Sequence, residues 1–348
     1  MSKQILEFLF NNKGNSHGGK VIKSIRTESY QIFFNTENGQ EILTGINGFP
    51  DPFVLEFPSM MDVGVMGHCR NNCKFCYQGN TYQENMDISD FKRIVDEAKS
   101  ETMQFALGGR GDPDLHENFK ELIEYSREYN IVPNYTTSGI GLSDYSIEVS
   151  KNCGAVAVSD YDTEATYSAI KRLMDAGIKT NIHFVLTKNS FHRAFNILNG
   201  VDVWNGKVDL DRLNAVVFLL FKPQGCGKNL KWWSPLDYQI EWLFKYMRMT
   251  QDIVKFKIGM DSCLVNRIKQ VESLTASEEI ILDTCEGARM STYVTPDMRL
   301  VSCSFGDYVN NGVSIRDRSI KDVWTNSQPF AEFREQLKQC PNSCPFGL

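Results

Sequence analysis

From Asp62 to about Met260 the chain alternates between two hydrophobic patterns. Short apolar runs at Val63-Gly64-Val65-Met66, Met103 to Leu107, Ile131 to Tyr135, Ala155 to Ser159, Thr180 to Leu186 and Ala215 to Phe221 read as six strands. Between them apolar residues recur every three or four positions. Phe91, Ile94, Val95 and Ala98 share one helical face, and Phe119, Leu122, Ile123 and Tyr129 share another. Strand and helix in regular alternation imply parallel βα units. The expected class is therefore α/β, a partial (β/α)6 barrel.

The flanks follow other rules. Residues 1–58 carry short alternating stretches such as Tyr30-Gln31-Ile32-Phe33-Phe34 between Gly- and Asn-containing turns, a β-rich N-terminal segment. The core takes residues 59–260, and residues 261–348 form a smaller C-terminal domain. There Ser291 to Cys303 reads as a hairpin turning at Pro296 and Asp297, and Ser319 to Lys338 as one or two helices. A chain of 348 residues accommodates such a body with appendages.

Charge narrows the partners. The 37 basic and 43 acidic residues give a net charge of -6 and are interspersed, which disfavours nucleic acid. The apolar run Ile5 to Phe10 is too short for a signal-peptide core or a membrane span, so a soluble, cytoplasmic protein is expected, with no membrane partner. Ten cysteines in such a compartment point to metal or cluster ligation in place of a disulfide framework.

Their positions sharpen that reading. Cys69, Cys73 and Cys76 lie in Gly67-His68-Cys69-Arg70-Asn71-Asn72-Cys73-Lys74-Phe75-Cys76-Tyr77, directly after the first core strand. Three thiolates can hold three corners of a cubane that usually takes four, leaving one iron open, as a catalytic metal requires. A zinc knuckle built from the same cysteines and His68 is the alternative.

The stretch resembles the CxxxCxΦC signature of the radical S-adenosylmethionine (SAM) superfamily, with Phe75 as the aromatic residue. The resemblance implies a 4Fe-4S cluster, chelation of its open iron by SAM, and reductive cleavage to a 5′-deoxyadenosyl radical that removes a substrate hydrogen. It extends to ordered strand-end segments. Leu107-Gly108-Gly109-Arg110-Gly111-Asp112-Pro113 is similar to the family's Gly-Gly-Glu-Pro segment, with Asp112 in place of Glu and Arg110 inserted before it. Thr136-Thr137-Ser138-Gly139 is similar to its Thr-Asn-Gly, and Ser159 to its ribose-contacting serine. SAM contacts are therefore expected from Phe75, Tyr77, Gly108, Gly109, Asp112, Thr137, Ser138 and Ser159.

Three further polar residues are candidates for substrate chemistry: His183 on the fifth strand, and Lys222 and Cys226 in the loop after the sixth. Each also has an ordinary reading, a core histidine or a solvated Gly-rich loop. Cys153 closes a helical pattern and is expected to be buried and inert.

Cys285, Cys303, Cys340 and Cys344 supply the four thiolates of a fully ligated cubane. They resemble the twitch form of the SPASM extension, which implies one auxiliary 4Fe-4S cluster. Cys263 is a fifth candidate, able to replace one of the four, to face substrate or to donate a hydrogen atom, and structural zinc is the alternative for the segment. The resemblance implies a radical SAM enzyme acting on a peptide or small protein, served by an electron donor such as flavodoxin or ferredoxin. The alternatives are dehydrogenation or rearrangement of a small molecule such as an aminosugar, and a non-catalytic Fe-S or zinc protein.

Overall fold

The computed structural model describes residues 22–71, 73–79, 82–201, 204, 206–306 and 311–347. The expectation about Ile5 to Phe10 lies outside the described residues. Strands β1 (Ile22–Arg26), β2 (Tyr30–Asn35) and β3 (Glu41–Gly45) form an antiparallel three-stranded sheet. Tyr30, Ile32 and Phe34 point to one side of β2 and are buried with Leu55, Met103 and Val132, so this sheet packs on the start of the core.

The six expected strands all form. They are β4 (Met60–Met66), β5 (Gln104–Gly109), β6 (Val132–Thr137), β7 (Val156–Ser159), β8 (Thr180–Leu186) and β9 (Ala215–Leu220). Each pairs in parallel with the next. The sheet then continues beyond the six. A seventh parallel strand, β10 (Lys257–Met260), adds to β9. On the far edge β11 (Ser291–Val294) pairs in parallel with β4 and antiparallel with β12 (Arg299–Val301), which carries the two-residue β13 (Val313–Ser314). The expected hairpin is thus present, and it extends the main sheet to ten strands.

Parallel strands are ordinarily apolar on both faces because helices cover both. Here burial alternates instead. Val63, Phe105, Leu107, Val156, Val158, Ile182, Phe184, Val216 and Phe218 share one core with apolar helix residues, including Phe91, Ile94, Leu122, Ile170 and Leu173. The alternate positions are small or polar: Gln104 and Ala106 on β5, Asn134 and Thr136 on β6, Ala157 on β7, and Asn181 and His183 on β8. They line a cavity of about 280 Å³, which Asn38 and Gly39 of the β2–β3 turn also line. One sheet face is therefore the core and the other an amide-lined hollow.

Helices begin where the sequence offers caps. Asp87 accepts from the Ser89 N–H before helix Ile88–Ala98, and Ser143, Thr163 and Ser319 act likewise before Asp144–Ser150, Glu164–Asp175 and Ile320–Asn326. Ser319 to Lys338 forms two helices, the second being Gln328–Gln339. A proline in its first turn favours a new start over continuation. Among the described residues no helix is long and apolar enough to cross a membrane.

Candidate functional site

All core strands from β4 to β10 run the same way, so their C-terminal ends and the loops that follow share one edge, where open parallel sheets bind ligands. The first cysteine group hangs from β4 at that edge. Just before it, a register shift between Gly64 and Met66 opposite β5 redirects the strand.

Three neighbouring loops hold this cysteine loop. From β6, Ser138 is the hub: its hydroxyl accepts from Asn71 Nδ2 at 2.9 Å and donates to the Asp112 carboxylate, while its N–H donates to Asp112 Oδ1 at 2.8 Å. From β5, Gly109 (φ +112°) lets its loop turn back so that the Arg110 N–H reaches the Met66 carbonyl, and Gly111 lies against the His68 carbonyl with no room for a side chain. From β9, the Cys226 N–H donates to the Cys76 carbonyl at 2.8 Å.

Gly225 makes that last contact feasible. Its φ is +53°, and a Cβ there would sit 2.4 Å from the Tyr77 carbonyl oxygen and 2.6 Å from that of Cys76. Gly225→Val is therefore expected to push the two loops apart and to lower the iron taken up on reconstitution below that of the parent chain. Gly108, whose Cβ would meet nothing within 4 Å, should accept alanine with iron uptake unchanged. Equal iron content in the two variants would refute this account of Gly225.

Within the loop, the Cys76 N–H donates to the Cys73 carbonyl and the Asn71 N–H to Cys69 Sγ. Cys69 is exposed, and Cys73 and Cys76 are half-buried. Burial raises both the Cys73 and the Cys76 thiol. At Cys73 a hydrogen bond with Tyr161 opposes the rise, while the charges of Cys69, Asp112 and Cys226 add to it. At Cys76 a backbone N–H opposes it, and Cys226 and Cys73 add to it. Metal binding here would displace protons from the thiols.

Other expected contacts are placed as follows. The Phe75 ring stacks on Tyr161 at 5.8 Å between centroids, and the Tyr161 hydroxyl also meets Ser159. Thr137 is fully buried and accepts from the Gly139 N–H at 3.0 Å, so its hydroxyl shapes the turn; Thr136 is the residue on the polar face. His183 lines the hollow beneath the edge, 3.4 Å from the Thr136 hydroxyl, and burial pushes its pKa down to about 4, leaving it neutral. Lys222 is buried in an ion pair with Asp261. Burial pushes the Cys153 thiol up to about 12, in keeping with an inert residue.

A second set of thiols comes from the C-terminal elements. Cys263 opens helix Ser262–Val271 after β10, Cys285 precedes β11, Cys303 follows β12, and Cys344 lies beyond helix Gln328–Gln339. Burial raises Cys303 well above its usual range, and the charges of Cys285, Cys263 and Cys344 add to the rise. Cys285 is pushed up to about 11 by burial, with Cys344 adding to it. Cys263 is pushed up to about 12 by burial, opposed by Lys222 and reinforced by Asp261, Cys344 and Cys285. Cys340 is exposed at the end of helix Gln328–Gln339.

Aromatic and charged side chains connect the groups. Tyr77 meets Phe305 edge-on at 4.5 Å, and the Lys222 ammonium lies 4.5 Å from the centre of the same Phe305 ring. Sequence reasoning passed over Tyr161 and Phe305. Phe305 stands two residues after Cys303 as Tyr161 stands two after Ser159, but an isolated aromatic carries no motif. Among the described residues no three His, Cys, Asp or Glu side chains are gathered around a single-ion position. A four-iron cubane is wider than an ion and has its thiolates further apart, and both groups supply the all-thiolate donor set such a cluster takes.

No protein-family model matches the chain. It is 21% identical over 308 residues to mycofactocin maturase MftC of Mycobacterium tuberculosis, covering 81% of this chain and 74% of that protein. Streptococcus suis SuiB bound to S-adenosylmethionine superposes with a TM-score of 0.70 at 13% identity, over 91% of this chain and 89% of that one. The fold is shared with SuiB. SuiB bound to precursor peptide SuiA gives a TM-score of 0.68 at 13% identity over 90% of each chain.

Proposed function

We propose that this protein is a radical SAM enzyme that modifies a peptide. The observation that carries the reading is the cysteine loop itself. Cys69, Cys73 and Cys76 follow the first core strand on a loop in which Asn71 bonds Ser138, itself bonded to Asp112, and the Cys76 carbonyl accepts from Cys226; Asp112, Ser138 and Cys226 follow the second, third and sixth strands. In this reading those three thiolates hold a 4Fe-4S cluster, and Cys263, Cys285, Cys303 and Cys344 hold an auxiliary one in a twitch-like C-terminal domain. The core is the six-stranded partial barrel, residues 59–260, with the further strands added at its edges. With SAM bound, the first cluster supplies 5′-deoxyadenosyl radical chemistry.

The chain's own residues prepare that site. Asp112 is fixed by two hydrogen bonds from Ser138 and offers a carboxylate to the amine of SAM. Gly108 leaves open space beside it, and Ser159 stands ready for a ribose hydroxyl. Phe75 and Tyr161 stack to keep water from the Cys73 side. A peptide substrate is supported over an aminosugar by the sequence relation to a maturase and by the shared fold with a protein solved with a precursor peptide. An electron donor of the flavodoxin or ferredoxin type, in the cytoplasm, completes the reading.

The test is anaerobic reconstitution with iron and sulfide, followed by reduction with SAM. About eight irons per chain, four for each cubane, and released 5′-deoxyadenosine are expected. Bound zinc without product would favour the non-catalytic zinc protein instead.

A further inference from the structure

Just after β9 sits a buried ion pair, Lys222 with Asp261, that is not among the proposed SAM contacts. The Lys222 side chain is 6% exposed and the Asp261 side chain 17%. Asp261 also accepts from the Leu264 N–H at 2.9 Å and the Leu220 N–H at 3.2 Å, so its carboxylate is fixed by the end of β9 and the first turn of helix Ser262–Val271. Its partner's ammonium extends the other way, over the ring of Phe305, two residues after Cys303. Burial works against a charge on Lys222, and the Asp261 carboxylate paired with it outweighs that cost.

We propose that Lys222 and Asp261 together set the reduction potential of the group held by Cys263, Cys285, Cys303 and Cys344, with the lysine raising it and the aspartate lowering it. The inference rests on reading those four thiols as the ligands of an iron-sulfur cluster. The physical reason is charge. Taking up one electron makes the site one unit more negative, no proton moves, and the buried surroundings screen fixed charges less than water does. An ammonium paired with Asp261, two residues before Cys263, and lying over the ring of Phe305, two residues after Cys303, favours the reduced state, and a carboxylate opposes it. Net charge and nearby hydrogen bonds are the protein's ordinary means of tuning such potentials. Lys222 is then a positioning residue for electron transfer, and it is withdrawn from the substrate contact its place after the sixth strand suggested.

The full-length chain carrying Cys69→Ala, Cys73→Ala and Cys76→Ala isolates the second group. After reconstitution, its reduced signal is followed by electron paramagnetic resonance while dithionite supplies one electron per group. Lys222→Met should lower the midpoint potential, Asp261→Asn should raise it, and the double variant should return toward the parent. Asparagine still caps the helix, so the Asp261→Asn arm decides the matter if the lysine variant fails to hold iron. Midpoints that move in the same direction or stay put, in chains that keep their iron, overturn the inference while the auxiliary cluster stands. A parent chain that takes up no iron overturns both.

Discussion

Joint replacement of Cys69, Cys73 and Cys76 by alanine is expected to abolish 5′-deoxyadenosine release and to remove about four of about eight irons, one cubane's worth. The fold should survive. Cys69 is exposed and its two partners are only half-buried, so little core packing is lost. Their loop is held by backbone contacts and by Asn71, which alanine at the three positions leaves in place. The measurements are product release by chromatography, iron per chain and the thermal midpoint before and after reconstitution. Product release persisting in the triple variant would defeat the assignment of the radical chemistry to this loop. Loss of all the iron would show that the two groups do not load independently.

The largest effect on stability is expected at Trp324. It is 1% exposed, its indole N–H donates to the Leu55 carbonyl at 2.9 Å, and its ring packs against Phe330 and beneath the Arg334 guanidinium. The residue thereby fastens the helices that precede Cys344 to the segment entering β4. Trp324→Ala should cost about 3–5 kcal/mol through the cavity it leaves, and the orphaned Leu55 carbonyl adds to that. Trp324→Phe should recover most of the packing and lose roughly 1 kcal/mol for the hydrogen bond. Urea unfolding followed by far-ultraviolet circular dichroism measures both. A loss below about 1 kcal/mol for the alanine variant would mean that these helices are not part of the cooperative unit.

Much of the frame was legible because burial follows sequence period. β8 spans the expected Thr180–Leu186, and Phe91, Ile94, Val95 and Ala98 are all buried. β10 escaped notice since Lys257–Met260 has one glycine, one exposed lysine and too few residues to show a period. The pairing of β11 with β4 joins residues far apart in the chain, and no local pattern encodes it. The same limit applies to the cysteines. Counting gives four late thiols and a fifth, whereas only the fold shows that Cys263, delivered by β10, shares a neighbourhood with Cys285, Cys303 and Cys344, while Cys340 faces outward. Asp112 and Ser138 were singled out by the resemblance of their strand-end segments to a family's motifs, but their mutual hydrogen bonds were not foreseeable.

The union of β4 with β11 also has a meaning in time. During synthesis Met60 to Val63 leave the ribosome long before Ser291 to Val294 exist, so one side of β4 remains an unpaired edge through most of translation. The strand from which the first cysteine loop hangs is thus the last of the parallel set to gain both neighbours. A nascent chain of this protein spends its longest interval with that edge bare, and it is there that a chaperone would have most to protect.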